Sequence, residues 1–176
     1  PICESSIIEI AMGLSICDTK SIVELQFGDF ISSGFNPVVN YLAKSYYRWG
    51  QNADIVLRMP CGAGVGAGPF HSQTNEAWFT KTPGLKVVYP AFPADAKGLL
   101  ISSIEDPNPV LFFEHKALYR SVRQDVPEGY YNLPLGKACS LTQGNDLTII
   151  TYGAPVHKAL EIIKNRDAYT FDLIDL

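Results

Sequence analysis

Apolar residues along the 176-residue chain fall in short blocks whose period alternates between that of a helix and that of a strand. In Glu4 to Asp18, "ESSIIEIAMGLSICD", Ile7, Ile10, Ala11 and Leu14 recur at helical spacing behind an acid that suits a helix N-terminus, which predicts a helix. "SIVELQF", Ser21 to Phe27, is short and rich in β-formers and predicts a strand, and Val38 to Gly50 predicts a helix with a glycine stop. "DIVLRMP" is the next strand, then a glycine-rich passage, a short helix at "TNEAWFTKT" and a strand at "LKVVYP". Pro93 to Glu105 reads as a helix with Pro at its start, Asp95 in its first turn and Leu99, Leu100 and Ile104 as its buried stripe, followed by the strand "VLFFEH". Near-continuous apolar strands alternating with helices predict an α/β fold: a parallel sheet with helices on both faces.

From Arg120 the pattern fades into charge, Gly-bounded turns and Pro, and it resumes with "DLTIITYG", "APVHKALEIIKN" and "YTFDLIDL" as strand, helix and strand. The expected division is therefore a first domain over 1–120, a linker over 121–144 and, over 145–176, the start of a second α/β domain unable to complete its own sheet. The chain opens on Pro1 without Met and closes on an apolar strand with no cap or tail, so it is expected to be cut from something longer.

Composition narrows the function classes. At 47% hydrophobic residues a sizeable core is possible, while a net charge of −4 leaves no basic excess and argues against nucleic acid or an anionic membrane surface as partner. No apolar run has the length of a membrane span. Cys3, Cys17, Cys61 and Cys139 show no CxxC spacing, which suits buried thiols in a reducing compartment better than a zinc site or redox pair.

The passage "RMPCGAGVGAGPFHSQTNEAWF" admits two readings. Gly62, Gly64 and Ala67 satisfy the loose dinucleotide pattern just after a strand, but no helix opens at the last of them and no acid ends the next strand to hold a ribose. A loop of small residues ending in Phe70 and His71 is alternatively a way to carry an imidazole to a cleft.

Five segments, "PICESSIIEIAMGLSI", "VELQFGDFISSGFNPVVN", the glycine passage, "PGLKVVYPAFPADAKGLLISSIEDPNPVLFFEHKALYR" and "GNDLTIITYGAPVHKALEII", together resemble the β subunit, or fused β half, of the E1 component of thiamin-diphosphate-dependent 2-oxo acid dehydrogenases, the branched-chain type more than the pyruvate type. The resemblance implies a transketolase-like pyrimidine-binding domain lacking its first strand and helix, joined to the start of the C-terminal domain. It implies decarboxylation of a small-molecule 2-oxo acid on thiamin diphosphate and acyl transfer to the lipoyl group of E2. The implied partners are an E1 α subunit or fused α half that holds magnesium and the diphosphate, a second β chain, and the E2 lipoyl domain and core. The implied compartment is the cytoplasm of a bacterium or the mitochondrial matrix of a eukaryote.

The same resemblance assigns residues. Glu4 falls where the family has the carboxylate that hydrogen-bonds the cofactor's pyrimidine ring, Gln26 where it has a pyrimidine-contacting glutamine, Phe30 on the ring that stacks on the pyrimidine, and Ile2 where a backbone carbonyl is offered. His71 falls on the histidine that assists acyl transfer, with Ser72 and Gln73 expected to orient it. Taken alone, Glu4 also suits a helix N-terminus and Phe30 a core aromatic. A potassium ion known in some members would match Ile55, Val56, Ser103, Asp106 and Asn108, though Val56 and Ser103 replace a Thr and a Cys, and "EDPNP" makes a helix-to-strand turn by itself. His115 and His157 read as structural, while Asp29 and Glu114 are ambiguous, since charged strand ends are commonly solvated. The alternatives are another transketolase-family enzyme, of acetoin dehydrogenase, transketolase or deoxyxylulose-phosphate synthase type, and a non-catalytic structural subunit.

Overall fold

A computed structural model describes residues 2–166 and 168–176; Pro1, where the expected first domain begins, lies outside them. Four parallel strands, β1 (Ser21–Glu24), β2 (Ile55–Cys61), β3 (Lys86–Val88) and β4 (Val110–His115), form a sheet in the order β1-β2-β4-β3. The two inner strands are buried on both sides, which is why they read as unbroken apolar runs. Pairing sets Leu57 between Val23 and Leu111, and Val56 beside Val110.

Alternate residues of these strands face two cores. On one face Ile55, Leu57, Met59, Leu111 and Phe113 pack with Ile8 and Ala11 of α1 (Glu4–Ile16) and with Val38 and Leu42 of a π-helical turn, Pro37–Leu42, that runs into α2 (Ala43–Trp49). On the other, Val56, Val88, Val110 and Phe112 meet Leu99, Leu100 and Ile104 of α3 (Pro93–Glu105). Helices on both faces match the expectation. One stripe does not: α1 buries Ile8, Ala11 and Ser15, whereas Ile10 and Leu14 are exposed, because the helix is apolar over two adjacent stripes and this chain covers one.

Gly84 shows how closely the sheet's approach loops fit. Its φ of +94° is left-handed, and a Cβ there would lie 1.9 Å from the carbonyl oxygen of Ala43. Gly84→Ala must therefore pay both the backbone penalty and the displacement of α2, and is expected to destabilise the protein by about 3 kcal/mol. Urea denaturation of the full-length protein checks this, and an unchanged midpoint would contradict the packing described.

After the short α4 (Leu118–Ser121), the stretch expected as linker instead contains β5 (Cys139–Thr142). This strand runs antiparallel to β7 (Phe171–Asp175), which pairs in parallel with β6 (Leu147–Thr151); α5 (Ala154–Lys164) connects the latter two and buries Val156 and Ala159. Half-exposed, polar "CSLT" carries no strand period, so its pairing comes from β7 and not from its own pattern. Among the contacts that fasten this unit to the first domain, the Tyr152 hydroxyl donates to Glu76 Oε1 at 3.1 Å, its ring meets Tyr89 edge-on, and His157 Nε2 lies 2.7 Å from the Ala91 carbonyl oxygen, with its ring edge-on to Phe92. All four cysteines are free, but only Cys61 is buried, so the expectation of buried thiols holds for one of them. Burial pushes that thiol up to about 11 despite its hydrogen bond to Tyr89.

Candidate functional site

Beyond the carboxyl end of β1 the chain runs through buried Leu25, whose N–H donates to the Arg58 carbonyl at 3.0 Å, to exposed Gln26 and then Phe27. A 3-10 turn, Gly28–Ser32, follows; Gly28 leans on Met59 and Cys61 of β2, and this close approach sets where Phe30 emerges. The turn ends at Ser33, whose hydroxyl donates to Glu4 Oε2 at 3.0 Å, while Ser5 Oγ donates back to the Ser33 carbonyl at 2.5 Å. The N-terminus of α1 and the end of β1 are thereby tied together. Between them lies a cavity of about 500 Å³ lined by Ile2, Glu4, Ile7, Glu24, Leu25, Gln26 and Phe30. All four residues assigned to cofactor binding, Ile2, Glu4, Gln26 and Phe30, line this one cavity.

His71 reaches the same place from the other side. The glycine passage leaves β2 at Gly62, runs exposed to Gly68 and tightens into a 3-10 turn, Pro69–His71. The expected helix over "TNEAWFTKT" is only a 3-10 turn at Glu76–Trp78. Gly62 has φ +84° and abuts the His115 imidazole, so close that a Cβ would lie 2.3 Å from Nε2. No helix follows the glycines to receive a pyrophosphate, and the loop serves to carry His71. Its ring meets Phe27 and Phe30 edge-on, at centroid distances of 4.9 and 5.5 Å.

The expected orienting residues do not touch that ring through hydrogen bonds. Ser72 Oγ donates to the Gly68 carbonyl, and Gln73 uses its backbone, accepting from Gly62 N–H and donating to Asp29 Oδ1. What holds His71 is Lys116: its buried ammonium donates to the His71 carbonyl at 2.6 Å and sits 4.7 Å from the centroid of Phe27. Gln26, Phe27 and Lys116 also line a second cavity of about 840 Å³, so Gln26 belongs to both. Phe27, Ser33 and Lys116 were not among the residues singled out from sequence, and only Phe27, lying between Gln26 and Phe30, offered a local signal.

Asp29 and Glu114, ambiguous from sequence, are both buried. Asp29 Oδ1 accepts from Gln73 N–H, while its Oδ2 is buried with no hydrogen-bond partner among the described residues. Glu114 accepts Arg58 Nε at 2.7 Å and Nη2 at 2.9 Å, a bidentate pair, and the Tyr119 hydroxyl. The hydrogen bond to Glu114 raises the Arg58 pKa, and burial followed by the same carboxylate raises that of Tyr119. His115, next to it, has its imidazole pKa lowered by burial and by Lys116.

The residues matched to potassium lie at the opposite, amino end of the strands, and their oxygens are in use. Asp106 Oδ1 accepts the N–H and the side-chain amide of Asn108, both at 2.9 Å, Oδ2 pairs with Lys86, and Ser103 Oγ donates to the Leu99 carbonyl. Burial alone would raise the Asp106 carboxyl, but the hydrogen bonds from Lys86 and Asn108 outweigh it and hold the group below its ordinary value. Ile55 and Val56 sit within the ladder of β2. The Asp106 carboxylate is thus matched by Lys86 and Asn108 and the Ser103 hydroxyl by a helix carbonyl, so a potassium ion at these residues would have to rest on backbone carbonyls. Among the described residues no group of three or more His, Cys, Asp or Glu side chains is placed to hold a metal ion, and no helix is long and apolar enough to cross a membrane.

Residues 1–122 match the model of the transketolase pyrimidine-binding domain. The whole chain is 42% identical to the 2-oxoisovalerate dehydrogenase subunit beta of Bacillus subtilis, covering 55% of it, and 43% identical to the mitochondrial 2-oxoisovalerate dehydrogenase subunit beta of Dictyostelium discoideum, covering 49%. It is 41% identical to a pyruvate dehydrogenase E1 component subunit beta of Staphylococcus epidermidis, again covering 55% of that protein. The chain thus spans about half the length of the curated relatives it matches. A solved structure described as "Split gene transketolase, inactive beta4 tetramer" shares the fold, with a TM-score of 0.76 at 22% identity over 99% of this chain and 55% of that one. The chain belongs to the family of the transketolase pyrimidine-binding domain, and the relatives it resembles are β subunits of 2-oxo acid dehydrogenases.

Proposed function

We propose that this chain contributes the pyrimidine side of the active site in the E1 component of a 2-oxo acid dehydrogenase, with a branched-chain 2-oxo acid or pyruvate as substrate. The observation that carries the reading is the convergence of Glu4, Gln26 and Phe30 on one cavity, with His71 against Phe30. This set fits an aminopyrimidine: a carboxylate for a protonated ring nitrogen, an amide able both to donate and to accept, and an aromatic ring to stack. When bound, thiamin diphosphate supplies the nucleophilic carbon and the electron sink that decarboxylation needs.

The protein's own tasks then divide by residue. Glu4, braced by Ser33, would hold a proton at a pyrimidine nitrogen; Gln26 and the Ile2 carbonyl would hydrogen-bond the ring's polar edge; Phe30 would stack on the ring, with Phe27 packed edge-on behind it. His71 moves a proton when the acyl group leaves for a lipoyl arm. We assign the diphosphate and magnesium to an α subunit or fused α half; among the described residues no group of three or more His, Cys, Asp or Glu is placed to hold a metal ion. A second β chain and the E2 lipoyl domain and core complete the proposed assembly, in the bacterial cytoplasm or the mitochondrial matrix. Residues 139–176, whose three strands pair in one sheet, are proposed to open the C-terminal-like domain, six residues earlier than the expected 145–176.

The test is turnover of 3-methyl-2-oxobutanoate and of pyruvate by the full-length protein with its partner, using an artificial electron acceptor. Cofactor-dependent turnover of either acid is expected, and the preferred one names the subtype. If the cofactor binds and neither acid is consumed, the reading fails and a ketol transfer takes its place.

A further inference from the structure

Lys20 lies in the turn between α1 and β1, and its ammonium is directed at the end of α3. Nζ donates to the carbonyl of Ile104 and, at 3.2 Å, to that of Asp106, and lies 3.3 Å from Asp54 Oδ2. The last carbonyls of a helix lack intrahelical partners and carry the negative end of its dipole, so they attract a cation. Asp54 is itself fixed, since its Oδ1 accepts Ser15 Oγ at 2.5 Å and its N–H donates to the same oxygen at 3.0 Å. One ammonium thus collects two backbone carbonyls and a carboxylate, a set of hard oxygens of the kind that binds a monovalent metal ion. The side chains of Lys20 and Asp54 are 31% and 27% exposed, so the arrangement is only partly withdrawn from water and its ion pair is weakened by screening, leaving the two carbonyl contacts to define it.

The geometry points to Lys20 as a built-in cation: its ammonium fills the oxygen set made by the Ile104 and Asp106 carbonyls and the Asp54 carboxylate, which shares only Asp106 with the residues matched to potassium, so the junction of α3 and β4 is locked without a monovalent metal. Lys86 plays the complementary part, neutralising Asp106 from the side of β3. Through Lys20 the chain ties α1, β1, the approach to β2 and the end of α3 with one covalently attached charge, which cannot be lost by dilution. The inference concerns the amino end of the sheet, away from the cavity of Glu4, and stands whether or not the catalytic reading does.

The experiment is thermal unfolding of the full-length protein in potassium, sodium and choline chlorides at equal ionic strength, for wild type and Lys20→Met. The wild type is expected to melt at the same temperature in all three salts. Lys20→Met in choline is expected to melt about 2 °C or more lower, with part of that loss restored by potassium entering the vacated oxygens. A saturable rise of the wild-type melting temperature with potassium overturns the proposal, as does a Lys20→Met protein that is fully stable in choline or whose loss potassium leaves unrestored. Should Lys20→Met not fold, the wild-type titration decides alone: a flat response supports the built-in cation and a saturable one overturns it. Because the readout is a melting temperature, failure here leaves the catalytic reading untouched, and failure of the activity assay leaves this one standing.

Discussion

Glu4→Gln is expected to lower thiamin-diphosphate-dependent decarboxylation by the full-length protein about 10²–10⁴-fold, the range spanned by a positioned proton-transfer group. The substitution keeps the side chain's length and its ability to accept from Ser33 Oγ, so the bracing of α1 against the Gly28–Ser32 turn survives. Only the negative charge is removed. That charge also faces the N-terminus of α1, where its loss costs about 0.3–1 kcal/mol, too little to unfold the protein. The measurement is kcat with the artificial acceptor at saturating cofactor, beside the melting temperature of the same preparation. A Glu4→Gln enzyme that keeps a tenth or more of wild-type kcat would mean that Glu4 is no more than a helix-end acid. A collapse of kcat with a steady melting temperature separates chemistry from folding.

Glu4 illustrates what was legible in the sequence and what was not. Its proposed role came from a resemblance spread over the chain, and its neighbours in that resemblance meet in space because α1 begins and β1 ends at the same cavity. Elements with strong local punctuation were legible to the residue: α3 begins at Pro93, ends before the "DPNP" turn, and hands over to β4 at Val110. Elements specified by their partners were not. β5 is polar and half-exposed and becomes a strand only through β7; the 3-10 turn that carries Phe30 has no period at all; and the π-helical opening of the second helix shares its apolar spacing with an α-helix. The same reasoning applies to charge. Glu114 was ambiguous in the sequence because Arg58 lies 56 positions earlier, and only the pairing of β2 with β4 sets them side by side. Lys116 and Lys20 escaped for a related reason: each acts on backbone carbonyls of a distant segment, and a carbonyl has no sequence signature.

The largest effect on the second half of the proposed reaction belongs to His71. His71→Ala is expected to reduce transfer of the acyl group to a lipoyl domain by about 10²–10³-fold, while decarboxylation coupled to the artificial acceptor falls less than 10-fold. The split follows from position. The imidazole does not line the cavity that holds Glu4 and Gln26; it meets Phe30 and Phe27 edge-on, one ring removed from the place where the proposed pyrimidine would sit. Removal of the ring leaves the loop's fastenings in place, because Lys116 holds the carbonyl of residue 71 and Asp29 holds Gln73 by its backbone. The truncated variant therefore retains the loop's course and loses the proton carrier. The two rates, measured on one preparation with the lipoyl domain and then with the artificial acceptor, decide the matter. If both fall by the same factor, His71 serves the decarboxylation step itself, or merely supports Phe30. If neither falls, the glycine passage delivers an aromatic ring to pack beside Phe27 and Phe30, and the proton in acyl transfer is carried by a group from the partner.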